Sequence, residues 1–233
     1  MSEIKIPERR ESDNSALRAE MIEMLKSEKP IIKIGDIAKM MGLSPVEKTL
    51  PNGRVIKTIE WKPDHLGQVY DLVNSLREES GLGNQDSVMI DGACPTWLLP
   101  TISHAFHPTY TSVRYPQGGP EASIPLSGAP IEGEGSAPDM QFEVKDGGEA
   151  TIVEFSLTQR QIDLENTIAN LTAPEVPSGK PVHITGRGPI AIATALAEAY
   201  SHNVPYVANF QPGTGFVVSI SHDKEHPVGM IIE

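Results

Sequence analysis

"GRGPIAIATALAEAY", residues 186–200, sets a Gly-Arg-Gly-Pro turn against a run of small apolar residues, directly after the strand-like "VHIT" at 182–185. Ninety-four residues earlier the chain reads "VMIDGACPTWLLPTISHAF" at 88–106. Setting Val88 on Val182 aligns Ile90 with Ile184, Gly92 with Gly186, Pro95 with Pro189, Leu98 with Ile192, Ala105 with Ala199 and Phe106 with Tyr200, without a gap. One slip then matches "RYPQGG" to "NFQPGTG". The order strand, turn, helix, strand, Gly-turn recurs as a unit, which predicts two successive domains of one kind.

Working outward, the second unit adds "MQFEVKD" and "ATIVEFSL" as a hairpin about Gly147-Gly148, a helix in "TQRQIDLENTIANL", and the strands "YVANF", "GFVVSIS" and "GMIIE". The first unit opens with the strand "VIKTIEW", followed by a helix in "DHLGQVYDLVNSLREES" and closing with "YTSVRYP". Between them "PLSGAPIEGEGSAPD" at 125–139 offers few residues able to pack a core and reads as a linker. Upstream, a charged tail of about 15 residues gives way to an amphipathic helix in "SALRAEMIEMLKSEK", with Ser15 as its cap. "KIGDIAKMMGLS" has the cadence of a helix-turn-helix with Gly42 at the turn, but no basic recognition helix follows. Instead "VEKTLPNGRVIKTIEW" reads as two strands around a Pro-Asn-Gly turn, favouring a packing or dimerising extension over a DNA-binding winged domain. The expected class is α/β (α+β): two tandem copies of a small mixed-sheet domain at 46–127 and 139–233, a linker at 128–138, and a helical extension at 1–45.

The chain of 233 residues is 39% hydrophobic and 21% charged, an ordinary globular composition. No run approaches the roughly 18 to 20 apolar residues of a membrane span, so a cytoplasmic protein is expected. Cys94, the single cysteine, cannot form an internal disulfide and reads as a small buried hydrophobe rather than a nucleophile. A net charge of −12 argues against broad affinity for duplex nucleic acid, which comes from Lys and Arg displacing counterions. A small anionic ligand stays open, because backbone N–H groups at a glycine turn can bind one whatever the overall charge.

A strand that ends in Gly-x-x-Pro and opens a helix directs free N–H groups outward at the positive helix end. Gly92 and Pro95 of one turn, and Gly186, Arg187 and Gly188 of the other, are therefore candidate ligand-binding residues. So are Arg114, Gly118, Gly119, Gln211 and Gly213 in the later Gly-turns. The spacing fits neither GxGxxG nor a P-loop, and an exposed arginine on an ordinary turn is the plain alternative for Arg187. His104 and His107 in "SHAFHP" lie three apart at a helix end, where imidazoles can serve as general base or metal ligand, and where the helix C-terminus favours their cationic form. The second copy has Glu198 in place of the first histidine and His202 one position from the second. His104, His107 and His202 are the candidate catalytic residues. "SISHD" adds His222 and Asp223 at the end of a strand, with a solvated loop as the plain alternative for "HDKEHP".

In these motifs the chain resembles the small CRISPR-associated ring nucleases of type III systems, which carry a Gly-Arg-x-Pro turn, an alanine-rich or Trp-Leu helix, a His-Pro, a Tyr-Asp-Pro-Arg-Leu-Gly-Gly-like turn and a terminal strand. The resemblance spans 140–233 and, most recognisably in "DGACPTWLLPTISHAFHP" and "RYPQGG", about 55–127. It implies binding of cyclic tetra-adenylate and manganese-dependent cleavage of its phosphodiesters within a dimer or tetramer, with the histidine of His-Pro and the aspartate of the next turn as catalysts. Both copies depart at the acid. The first keeps His107-Pro108 but its turn reads Tyr115-Pro116-Gln117, while the second has Phe210-Gln211-Pro212, and Ser201-His202 in place of His-Pro. An amide neither holds a divalent cation as a carboxylate does nor takes a proton at neutral pH. Three expectations follow: a tandem phosphodiesterase in which Gly186-Arg187 of one half serves His107 of the other, a catalytically degenerate sensor acting through its N-terminal helices, or a sponge for the messenger.

Overall fold

The computed structural model describes residues 11–50, 52–115 and 122–232. Two sheets lie on either side of a shared core. The first has four strands: β1 (Ile31–Lys33), β4 (Ser87–Asp91), β5 (Tyr110–Arg114) and β6 (Ser123–Pro125), in that order across the sheet. The second has six, running β12 (Ile231–Ile232), β11 (Gly215–Ser221), β10 (Tyr206–Gln211), β9 (Val182–Arg187), β8 (Thr151–Leu157), β7 (Met140–Asp146). The expected α+β class holds.

Within each sheet the same arrangement recurs. β1, β4 and β5 are mutually parallel and β6 returns antiparallel, while β8, β9 and β10 are parallel and β11 returns antiparallel. In each sheet a single helix makes the crossover of one parallel pair: α4 (Leu98–Ala105) from β4 to β5, and α6 (Ile190–Tyr200) from β9 to β10. Residues matched by the sequence register share their burial. Val88 and Val182, Leu98 and Ile192, and Phe106 and Tyr200 are all inaccessible to solvent. Tyr200 also donates its hydroxyl to the Pro174 carbonyl at 2.7 Å, so its phenol is held well above the usual range by burial.

The N-terminal segment is more integrated than a separate extension. α1 (Glu11–Leu25) begins before Ser15, which lies inside the helix rather than at its cap. Arg18 on α1 bonds Ser75 and Glu79 of α3 (Leu66–Ser80), and Met21 and Leu25 enter the core. β1, a strand within the expected helical extension, is the first strand of the first sheet. α2 (Ile34–Met40) ends at Gly42 in the left-handed region (φ 75°), but a strand follows it and not a recognition helix. β2 (Pro45–Thr49) and β3 (Val55–Ile59) form the expected antiparallel ribbon. This ribbon is a separate two-stranded sheet, so "VIKTIEW" does not open the first unit's sheet.

Two further expectations are corrected. The helix drawn over 158–171 shrinks to α5 (Leu164–Ala169), because Asp163 caps it by accepting from the Asn166 N–H, and the residues beyond it run extended. Those extended residues secure the expected linker. Ser136 and Thr172 exchange backbone hydrogen bonds at 2.8 and 2.7 Å, and Glu132, Ala173 and Glu175 add three more between the two segments. Gly135 (φ 74°) permits this approach, since a Cβ there would meet the Pro174 nitrogen at 2.6 Å.

Candidate functional site

Apolar faces on α4 and α6 drive the two helices together, and the helices form the seam between the sheets. Position 104 of one unit corresponds to 198 of the other, and across the seam these two residues meet. His104 Nδ1 lies 4.0 Å from Glu198 Oε2, with side chains only 6% and 9% exposed. His107 and His202 stand beside them at the surface, their ring centroids 4.5 Å apart. His104 is 6.1 Å from His107 and 5.6 Å from His202. His222, at the end of β11, completes the group at 5.4 Å from His104 and 5.8 Å from His202. Its Nε2 lies 2.8 Å from the Ser201 carbonyl, which can only accept, so Nε2 carries the hydrogen. All three sequence candidates thus share one cluster, and His222, at the strand end where the sequence put it, joins them.

Burial lowers the pKa of both His107 and His202, and neighbouring imidazoles lower it further. Glu198 opposes the shift in both without reversing it. The preference of a helix C-terminus for cationic histidine, expected from the sequence, is therefore outweighed by desolvation and like charge. Arg77, near the end of α3, disfavours protonation of His107 and does not figure at His202. The two imidazoles are neighbours in unequal fields.

His107, His202 and Glu198 line a cleft of about 330 Å³ with Thr109, Tyr110 and Ser127. Among the described residues, three buried polar atoms here have no hydrogen-bond partner: His104 Nδ1, Glu198 Oε1 and Thr109 Oγ1. Buried polar atoms are rarely left unpaired, and two of these three belong to residues that line the cleft. Sequence reasoning missed Arg77, which sits on α3 remote in sequence from the repeated motif, and Thr109, which directly follows His107-Pro108 but carries no signal in its residue type.

The glycine turns occupy the opposite end of the seam. Gly92 and Pro95 precede α4, and Arg187 and Gly188 precede α6, whereas the histidines follow those helices. Eleven residues of α6 place Arg187 about 16 Å from the histidine end at 1.5 Å per residue, so Arg187 is not positioned to serve His107. Gly186, Arg187, Gly188 and Gly213 are exposed. A Cβ at Gly186 would meet the Phe155 carbonyl at 2.3 Å, so that glycine is required by packing. Thr96, between Pro95 and α4, reaches the end of β10, donating to the Phe210 carbonyl at 3.0 Å and lying 3.2 Å from Gln211 Oε1. Arg114 pairs with Asp91 at 3.0 Å, and both line a separate cavity with Leu17 and Met21 of α1. The Cys94 thiol is pushed up to about 12 by burial, as suits a packing residue. Gly118 and Gly119 lie outside the described residues.

Among the described residues, no three His, Cys, Asp or Glu side chains are grouped to hold a metal ion. No helix among them is long and apolar enough to cross a membrane.

Residues 156–233 match the model of a CRISPR-associated protein family (Cas_csx3). That segment holds α6, the second glycine turn, Glu198, His202 and His222. A structural likeness extends to a SAVED/CARF-domain containing receptor, Cap4 of Acinetobacter baumannii, at a TM-score of 0.43 and 9% identity. It covers 69% of this chain, which spans 42% of that receptor chain, and is too slight to support a reading of fold or function.

Proposed function

We propose that the chain is a metal-independent phosphodiesterase of CRISPR signalling that cleaves a cyclic oligoadenylate, cyclic tetra-adenylate in the first instance, at the His107–His202 pair. The observation that carries this reading is the approach of those two imidazoles to 4.5 Å at the mouth of a polar cleft. The match of residues 156–233 to a CRISPR-associated family supports a role in CRISPR signalling, and cyclic tetra-adenylate is the substrate that the sequence resemblance implies. The chain carries two divergent copies of one unit, in keeping with the recurring sheet order. One chain supplies both imidazoles, so the pair needs no second protomer.

The chemistry follows from the unequal fields. Neutral His107, beside the Arg77 cation, takes the proton from a ribose 2′-hydroxyl as its oxygen bonds to phosphorus. Protonated His202 gives a proton to the 5′-oxygen as the P–O5′ bond breaks. The products are a 2′,3′-cyclic phosphate and a 5′-hydroxyl, with atoms and protons balanced and His107 and His202 left in exchanged protonation states. The cleft takes about one nucleotide, leaving the rest of a ring over the surface.

Incubating the protein with cyclic tetra-adenylate, with manganese and with a chelator, tests this directly. Linear product ending in a 2′,3′-cyclic phosphate should form under both conditions. Tight binding without linear product would instead make the chain a sensor or sponge, and product only with manganese would reject the metal-free step.

A further inference from the structure

The acid–base pair accounts for the mouth of the cleft and leaves its floor unexplained. Glu198 has one oxygen toward His104 and the other, Oε1, without a partner among the described residues. Thr109, 5% exposed, lines the same cleft with its hydroxyl equally unpaired. A carboxylate floor repels phosphate and calls for a hydrogen-bond donor, while a hydroxyl can donate to an acceptor beside it. An acceptor nitrogen adjacent to an exocyclic amine, the edge of adenine or cytosine, answers both. Ribose hydroxyls are donors too, but the scissile phosphate at His107 and His202 keeps its 2′-hydroxyl at the mouth, and the base is the part of a nucleotide that reaches deeper.

We propose that Glu198 and Thr109 form a base-reading subsite that accepts a hydrogen bond from an exocyclic amine and rejects bases with a carbonyl at that position. This rests on the phosphodiesterase reading for the seating of the nucleotide, though not for the base contact itself. Asn84 and Gln85, at the rim of the same cleft, offer amides to the remaining edge of the base.

The test compares cyclic tetra-adenylate with its inosine counterpart as substrates, and adenosine with inosine monophosphate as ligands by calorimetry, on wild-type protein, Glu198→Gln and Thr109→Val. Adenine and hypoxanthine differ at this edge by amine against carbonyl, and a ratio of two ligands on one variant cancels any change in rate. Wild type should prefer the amine by about 10²-fold or more, since a mismatched base leaves a buried polar group unpaired. Glu198→Gln, whose amide can donate as well as accept, should bring the ratio to within about threefold, and Thr109→Val should reduce it about tenfold. Should Glu198→Gln not fold, as judged by circular dichroism, the Thr109→Val ratio decides. A ring cleaved without discrimination, or a preference unchanged in both variants, overturns the subsite while sparing the phosphodiesterase reading. An amine preference in monophosphate binding without ring cleavage supports the subsite and overturns that reading. Failure of both monophosphates to bind wild type overturns the subsite.

Discussion

Removing the two surface histidines singly and together tests whether they act in one step. His107→Ala removes the proposed base and His202→Ala the proposed acid. Each should lower cleavage by about 10²- to 10⁴-fold, equivalent to roughly 2.7–5.5 kcal/mol on the barrier. Rings 4.5 Å apart serving one proton relay cannot contribute independently. The double variant should therefore be no slower than the slower single variant, within about threefold, where independent effects would multiply to 10⁴-fold or more. The productive state holds one proton on the pair, and both pKa values are lowered, so the rate should peak on the acid side of the unperturbed histidine value of about 6.5. Single-turnover cleavage of cyclic tetra-adenylate across a pH series reads both quantities, with affinity followed separately by calorimetry. Multiplicative losses, or a rate still rising above pH 8, would refute the relay.

Arg187→Ala should change ring affinity and cleavage by less than about threefold, because Arg187 is exposed at the far end of the seam; a tenfold loss of affinity in calorimetry would move the binding site to the glycine turns. Tyr200→Phe should lower unfolding free energy in urea by about 1–2.5 kcal/mol, through loss of the hydrogen bond to Pro174 and the stranding of its carbonyl. Thermal stability should fall as pH drops from 7 toward 5: with folded pKa values below 6.5 for His107, His183 and His202, the unfolded chain binds more protons over that window. A melting temperature level across that range would contradict the lowered values.

The parts of the fold legible in the sequence were those whose signal is local. Gly92 and Gly186 mark strand ends, the apolar runs after Pro95 and Pro189 mark the two seam helices, and Gly147-Gly148 marks a hairpin. β1 escaped because its three residues, Ile31, Ile32 and Lys33, carry too little alternation to show a period of two. The pinning of the expected linker was invisible because it is carried by backbone groups of Glu132, Ser136 and Thr172, which composition does not record. The candidate site was legible as separate histidines and not as a site. His104, His107, His202 and His222 come from both halves of the chain, and only the packing of α4 on α6 brings them together.

Under the duplication proposed above, that packing gives a diverged copy a way to add function. In a symmetric pair, a residue near the axis meets its own counterpart. Two copies like the first unit would set His104 against His104, and two like the second would set Glu198 against Glu198, in each case placing like groups together in a buried seam. The two units differ at this position, and one carboxylate faces one imidazole. It also leaves a histidine at 107 where the second unit has Ser201, and one at 202 where the first has Pro108. Each unit thus contributes a surface imidazole that the other lacks, in surroundings that differ by Arg77. An acid and a base need unequal environments to hold unequal protonation at one pH. The absence of an aspartate at either turn is therefore compatible with the proposed catalysis, which depends on the asymmetry of the seam and not on either turn.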